Sequence, residues 1–192
     1  MKKQKQWVFN VAIVAIALGI NSCNLFEKAG DVTFDVTYDL PFVVEENATG
    51  TNVPYTDFRI LDAASNSDFN KYKANIKEIK INKITYRVSN FASKSPTVPP
   101  VFFNNGTASF GPADTSTKSV TATMASASGV NLQTATAEAP LTIDQAGLNT
   151  IAALLLNSQK VKMYADGVLT QTPVSFTVTG TFYVTITANA LK

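Results

Sequence analysis

The sequence predicts a mainly β protein: a single β-sandwich with one firm helix at about 142–157 and a second, short helix at about 67–76. Three observations carry that reading. Strict period-two alternation marks both ends of the domain, turn-forming residues recur between shorter alternating runs, and one stretch alone combines helical spacing with a start signal and a stop signal. For this length, roughly seven to ten strands are expected.

The first alternating run begins at Asp31. Val32, Phe34, Val36, Tyr38 and Leu40 share one parity, and Thr33, Asp35, Thr37 and Asp39 the other, which predicts a half-buried strand. Pro41 interrupts it, so Phe42-Val43-Val44 reads as a bent or edge continuation before a loop over 45–54. The acidic row Asp31, Asp35, Asp39 invites a calcium reading, but residues four apart on a strand lie roughly 13 Å apart, too far to share an ion. A short strand follows at Tyr55 to Leu61, and then Ser67-Asp68 opens a helical turn in which Phe69, Tyr72 and Ile76 share a face.

Between Ile76 and Phe91 the alternation changes phase. Ile79 and Ile81 hold one parity and Ile84, Tyr86 and Val88 the other, so a bulge near Asn82-Lys83 must absorb one residue. The same stretch gathers Lys71, Lys73, Lys77, Lys80, Lys83 and Arg87, the chain's basic concentration. It reads as a solvated face that discourages edge pairing, with contact to anionic lipid or polysaccharide as the functional alternative. Asn105-Gly106 predicts a hairpin between Val101-Phe102-Phe103 and Ala108 to Phe110. The consecutive Phe102 and Phe103 suit a strand buried on both faces; an exposed aromatic rim is the competing reading.

From Ala113 to Pro140, ten of 28 residues are serine or threonine and the charges are Asp114, Lys118 and Glu138. Weak alternation over Val120, Ala122, Met124 and again Val130, Leu132 predicts two short strands around Ser128-Gly129, with a surface loop or linker as the competitor. Thr142 and Gln145 form a capping-box pattern, and Leu148, Ile151, Ala152 and Leu155 follow at helical spacing until Asn157-Ser158. Leu154 and Leu156 widen the expected apolar face. Val161, Met163 and Ala165 then lead into Asp166-Gly167, read as a hairpin turn. Val174 to Ile186 follows as a 13-residue strand, with Gly180 as a bending point. This order of helix, strand, Asp-Gly turn and terminal strand resembles the late-embryogenesis-abundant type 2 (WHy) β-sandwiches, on Leu154, Leu155, Val161 and Gly167, over the last third of the chain.

The N-terminus reads as an address. Lys2, Lys3 and Lys5 precede the apolar stretch Val8 to Ile20, which has the length of a secretory signal and is short of the roughly 20 residues a spanning helix needs. It ends in Ile20-Asn21-Ser22-Cys23, which resembles the lipobox of bacterial lipoproteins; Ile20, Ser22 and Cys23 match the pattern and Asn21 sits where a smaller residue is commoner. The resemblance implies cleavage before Cys23 and acylation of its thiol, hence attachment to a bacterial envelope membrane, with the outer membrane expected. The expected layout is residues 1–22 as signal, 23–30 as lipidated cysteine and tether of at most about 25 Å, and 31–192 as the single β domain.

Residue inventory then bounds the chemistry. The chain has no histidine, and its one cysteine is Cys23, which excludes Ser-His-Asp hydrolysis, cysteine-nucleophile chemistry and the usual zinc and iron–sulfur sites. No cofactor and no metal ligand set are predicted. Loss of residues 1–22 would leave 13 basic against 14 acidic residues, so nothing electrostatic favours nucleic acid. The sequence therefore predicts a non-catalytic envelope lipoprotein that binds an envelope protein or glycan or plays a structural part. Two alternatives stand beside it: a polysaccharide-acting enzyme using carboxylates such as Glu45, Glu46, Asp57, Asp62 or Asp68, and an adhesin or fibre subunit, which a donated or missing edge strand would mark.

Overall fold

The computed structural model describes residues 30–93, 100–124 and 129–190. The signal stretch and the lipobox Ile20 to Cys23 lie outside the described residues. The fold is mainly β. Its strands are β1 (Asp31–Asp62), β2 (Ile76–Ser93), β3 (Phe102–Gly111), β4 (Val120–Met124), β5 (Val130–Asn131), β6 (Ala139–Thr142) and β7 (Lys160–Asn189). Two helices accompany them, α1 (Ser67–Tyr72) and α2 (Gln145–Ser158), with a short 3-10 turn at Ala63–Ser65.

The terminal alternating runs are the two edges of one ribbon. β1 and β7 pair antiparallel from Asp31↔Asn189 to Glu46↔Val174 and, after a register shift, from Gly50↔Thr172 to Asp62↔Lys160. The loop expected over 45–54 is thus a bulge inside a continuing strand. Asn52 adopts a left-handed φ of 53° there, and Thr172 Oγ1 donates to the Ala48 carbonyl at 2.6 Å, tying the bulge to the partner strand.

Straight, a strand of 32 residues would reach about 100 Å, far beyond the dimensions of a compact domain of this size. The ribbon instead folds over itself. Tyr38 in the first half of β1 donates its hydroxyl to the carbonyl of Ala63, just past the strand's end, at 3.1 Å. The Arg59 guanidinium sits 5.5 Å above the Phe42 ring. Gly180 supplies a close approach: a Cβ there would stand 3.0 Å from the Met163 methyl group, on the opposite half of the same strand.

β7 carries β1 on one side throughout, and on the other side β2 along its second half and β3 along its first. β6 joins β2 to β4, and β4 joins β3. The path β7–β2–β6–β4–β3–β7 closes the sheet on itself, leaving β1 as its outer strand. Phe42, Phe110, Phe182, Ile84, Leu169 and Ile186 fill the interior, each no more than 1% exposed. Phe110 meets Phe182 edge-on at 5.9 Å between centroids.

Two glycine pairs expected to turn the chain do not. Asn105-Gly106 lies inside β3, where Asn105 takes a φ of 52° and the register with β7 slips between Asn104 and Thr107. Its left-handed residue makes a bulge in place of a hairpin. Asp166-Gly167 runs straight through β7, so the Asp-Gly turn in the likeness to the WHy sandwiches is not formed. Gly167 is there for space: a Cβ would stand 2.3 Å from the Phe103 ring.

The phase change in β2 falls where expected, between Ile81 and Lys83, with further slips at Ile76/Glu78 and Ser89/Ala92. The strands expected around Ser128-Gly129 exist as β4 and β5, but each pairs with β3. α1 is capped by Asn66, whose side chain accepts from the N–H groups of Asp68 and Phe69, and it ends before Ile76, which opens β2. α2 is capped by Asp144, whose carboxylate accepts from Gly147 N–H at 2.7 Å, while Thr142 ends β6. The helix runs past Asn157-Ser158 to the left-handed Gln159. Leu148, Ile151, Ala152 and Leu155 are buried as the spacing predicts; Leu156 is 40% exposed, so the apolar face is narrower than expected.

Candidate functional site: a polar groove on the outer face of the sheet

Alternation that buries Val36, Tyr38 and Leu40 must turn Thr37 and Asp39 outward. Register then stacks matching outward residues across three strands. Thr37 lies opposite Tyr183, which lies opposite Lys83; Asp39 lies opposite Thr181, which lies opposite Thr85; and Thr179 faces Arg87. The β2 bulge makes this possible, since it moves Lys83, Thr85 and Arg87 onto the face opposite the buried Ile84, Tyr86 and Val88.

A fourth wall comes from the segment before β6. It is held to β2 by Val88 N–H donating to the Ala135 carbonyl at 3.0 Å, and it brings Thr136 and Glu138 over the sheet. Thr37, Asp39, Arg87, Thr136, Glu138, Thr181 and Tyr183 line an open groove of about 350 Å³, at the low end of the size range of small-molecule sites.

Hydrogen bonds fix its acceptors. Glu138 Oε1 receives the Tyr183 hydroxyl at 2.7 Å and also the Thr85 hydroxyl. Those two bonds, Thr85 first, hold the Glu138 carboxyl below its ordinary range, with smaller help from Lys83 and Arg87. The same bond raises the Tyr183 phenol. Lys83 Nζ lies 4.2 Å over the Tyr183 ring and steadies it. Asp39 Oδ1 receives the Thr181 hydroxyl at 2.7 Å. Arg87 adds a guanidinium to the lining, and its charge acts on both the Glu138 carboxyl and the Tyr183 phenol.

The lining offers both acceptors and donors. Two carboxylates accept, one guanidinium donates, and threonine and tyrosine hydroxyls do both.

The carboxylates singled out from the sequence are elsewhere and do not line the groove. Glu45 and Glu46 flank the β1 bulge, Asp57 pairs with Arg59 at 2.6 Å, Asp62 caps the 3-10 turn and bridges to Lys160 at 3.1 Å, and Asp68 sits in the first turn of α1. The acidic row behaves as a bonded outer face: Asp35 receives the Thr185 hydroxyl at 2.5 Å, and Asp31 pairs with Lys77 at 2.5 Å. Lys71 covers the Tyr72 ring. Of Phe102 and Phe103, the second is buried and the first half-buried, its N–H donating to Thr170 Oγ1 at 2.9 Å. Phe103 belongs to the core, and Phe102 does not. Cys23, the expected site of lipid attachment, is outside the described residues.

Glu138 and Tyr183 escaped the sequence reading. One signal was present: along Ser175, Thr177, Thr179, Thr181, Tyr183, Thr185 and Thr187, the polar parity of β7, Tyr183 is the single aromatic.

No family model and no curated protein matches the chain. Among solved structures it is similar to the BFDV capsid protein in its decameric crystal form, at 14% identity and a TM-score of 0.44 over 81% of this chain and 98% of that one. It is also similar to Desmodium yellow mottle tymovirus, at 14% identity and a TM-score of 0.33 over 85% and 93%.

Proposed function

We propose that this chain is a non-catalytic lipoprotein of the bacterial envelope, carried on the outer membrane by an acylated Cys23, and that it binds a hydroxyl-rich envelope ligand, a glycan, in the polar groove. The observation that carries the binding reading is the lining: seven polar side chains, with Asp39 and Glu138 as fixed acceptors and Arg87 as a cationic donor. Sugar hydroxyls match that alternation of donors and acceptors, and an apolar ligand would leave those groups unpaired at a cost. The anchor reading rests on Ile20, Ser22 and Cys23 following an apolar stretch with a basic lead.

One experiment with two arms tests both parts. The full-length chain, expressed in its native host with a palmitate analogue, is expected to label as wild type and not as Cys23→Ser; equal labelling of the two removes the anchor. In the second arm, the detergent-solubilised full chain is sedimented with insoluble envelope polysaccharide from that host. Arg87→Ala and Glu138→Gln are each expected to cut co-sedimentation at least about tenfold, the effect of losing one charge-assisted hydrogen bond. Retention equal to wild type in both variants removes the groove as the binding site.

A further inference from the structure

Among the described residues β1 pairs with β7 alone and leaves its other edge open. It is the outer strand of the sheet, and among the described residues its paired side faces β7 along its whole length. A row of unpaired N–H and C=O groups this long is a template for strand addition, and folded proteins protect such rows. Two prolines fit that need. Pro41 and Pro54 both sit within registered pairs to β7, opposite Thr179 and Val168, and a proline on an outer strand withholds a donor only from an incoming strand.

At Phe58 the protection is active. Phe58 N–H is turned away from β7 and donates to the Asp57 carboxylate at 2.7 Å. Phe58 C=O accepts from Arg59 Nη1 at 2.8 Å. Asp57 and Arg59 also pair with each other at 2.6 Å. The two residues beside Phe58 therefore consume both edge groups that an added strand would use, and lock the arrangement with an ion pair. Arg59 is held in place over the Phe42 ring, and Asp57 additionally receives the Tyr55 hydroxyl at 3.4 Å.

What the device covers makes its purpose legible. Phe58 and Ile60 are 49% and 44% exposed, the largest exposed apolar side chains in this half of β1. Backbone groups alternate sides along a strand, so Thr56 and Ile60 share the outward phase of Phe58. An unguarded segment Tyr55 to Leu61 would combine outward backbone donors with aromatic and β-branched side chains and no net charge, the composition of an adhesive edge.

We propose that the Asp57–Phe58–Arg59 triplet is an edge guard that prevents a second copy of this chain from extending the sheet at β1. The test is the association state of the full-length chain in detergent, by sedimentation velocity with circular dichroism as the check on folding. Wild type is expected to be monomeric. The double variant Asp57→Ala/Arg59→Ala is expected to self-associate at least about tenfold more tightly, as loss of two capping bonds implies. Asp57→Asn/Arg59→Lys keeps an acceptor and a donor and is expected to stay monomeric. Adding Thr56→Pro to the alanine variant removes an outward N–H and is expected to restore the monomer. The proposal fails if the folded alanine variant is monomeric, if its association survives Thr56→Pro, or if wild type already associates and Thr56→Pro abolishes that association.

Discussion

The two halves of the β1–β7 ribbon follow the same antiparallel pairing and differ in what they turn outward. In the half where residues 31–46 meet 174–189, Val36, Tyr38, Leu40, Phe42 and Val44 are buried, and the outer face, polar except at Pro41 and the 57% exposed Val43, carries the groove. In the half where residues 50–62 meet 160–172, most inward side chains of β1 are half-buried and the outer face shows Phe58 and Tyr164, their ring centroids 5.9 Å apart, with Lys162 over the Phe58 ring at 5.1 Å. The first half can devote its outer face to hydrogen bonding because its inner face supplies much of the core. The second turns an aromatic ring and a β-branched side chain outward at neighbouring positions of the outermost strand, Phe58 and Ile60, and there its edge groups are capped.

The sharpest test of this contrast is a pair of deletions. Phe182→Ala, in the interior of the first half, is expected to cost about 3–5 kcal/mol in denaturant unfolding of the full chain, and Phe58→Ala no more than about 1 kcal/mol. Equal losses would mean that the two halves contribute alike to the core.

A smaller difference is expected at the two glycines of β7. Gly167→Ala drives a methyl into the buried Phe103 ring, 2.3 Å away, and overpacking of this kind costs about 1–3 kcal/mol. Gly180→Ala meets the mobile end of Met163 at 3.0 Å, which can shift, so a loss under about 1 kcal/mol is expected from the same measurement. A reversed order would show that Met163 is held more rigidly than the Phe103 ring.

The smallest effect is electrostatic and belongs to the first half alone. Because the Glu138 carboxyl is lowered in the folded state, its bonds to Thr85 and Tyr183 are fully present above the ordinary carboxylate range and are lost as pH falls through the lowered value. Tyr183→Phe removes one of the two hydroxyls, so the Glu138 titration, followed by carboxyl NMR, should move upward toward its ordinary position. A titration unchanged by Tyr183→Phe would show that this bond is not formed in solution.

Particular residues show how far the sequence reaches. The parity of Val32 to Leu40 and of Val174 to Ile186 was enough to assign inner and outer faces, because a side chain's face follows from period two alone. The phase change near Asn82-Lys83 was legible for the same reason: two buried rows of opposite parity cannot lie on one face without a bulge. The mainly β class and the buried stripe of α2 followed from local pattern too.

Tertiary structure decided what no window of neighbours contains. Asn105-Gly106 and Asp166-Gly167 have turn chemistry, yet β3 and β7 run through them because ladder bonds to partner strands on either side outweigh a local preference. The groove is likewise a product of register. Glu138 meets Thr85 and Tyr183 across 53 and 45 residues, and only the closing of the sheet sets those distances. The proposed guard at Phe58 lies between the two cases: Asp57 and Arg59 are adjacent to it in sequence, but the task proposed for them arises only because, among the described residues, β1 has no second neighbour.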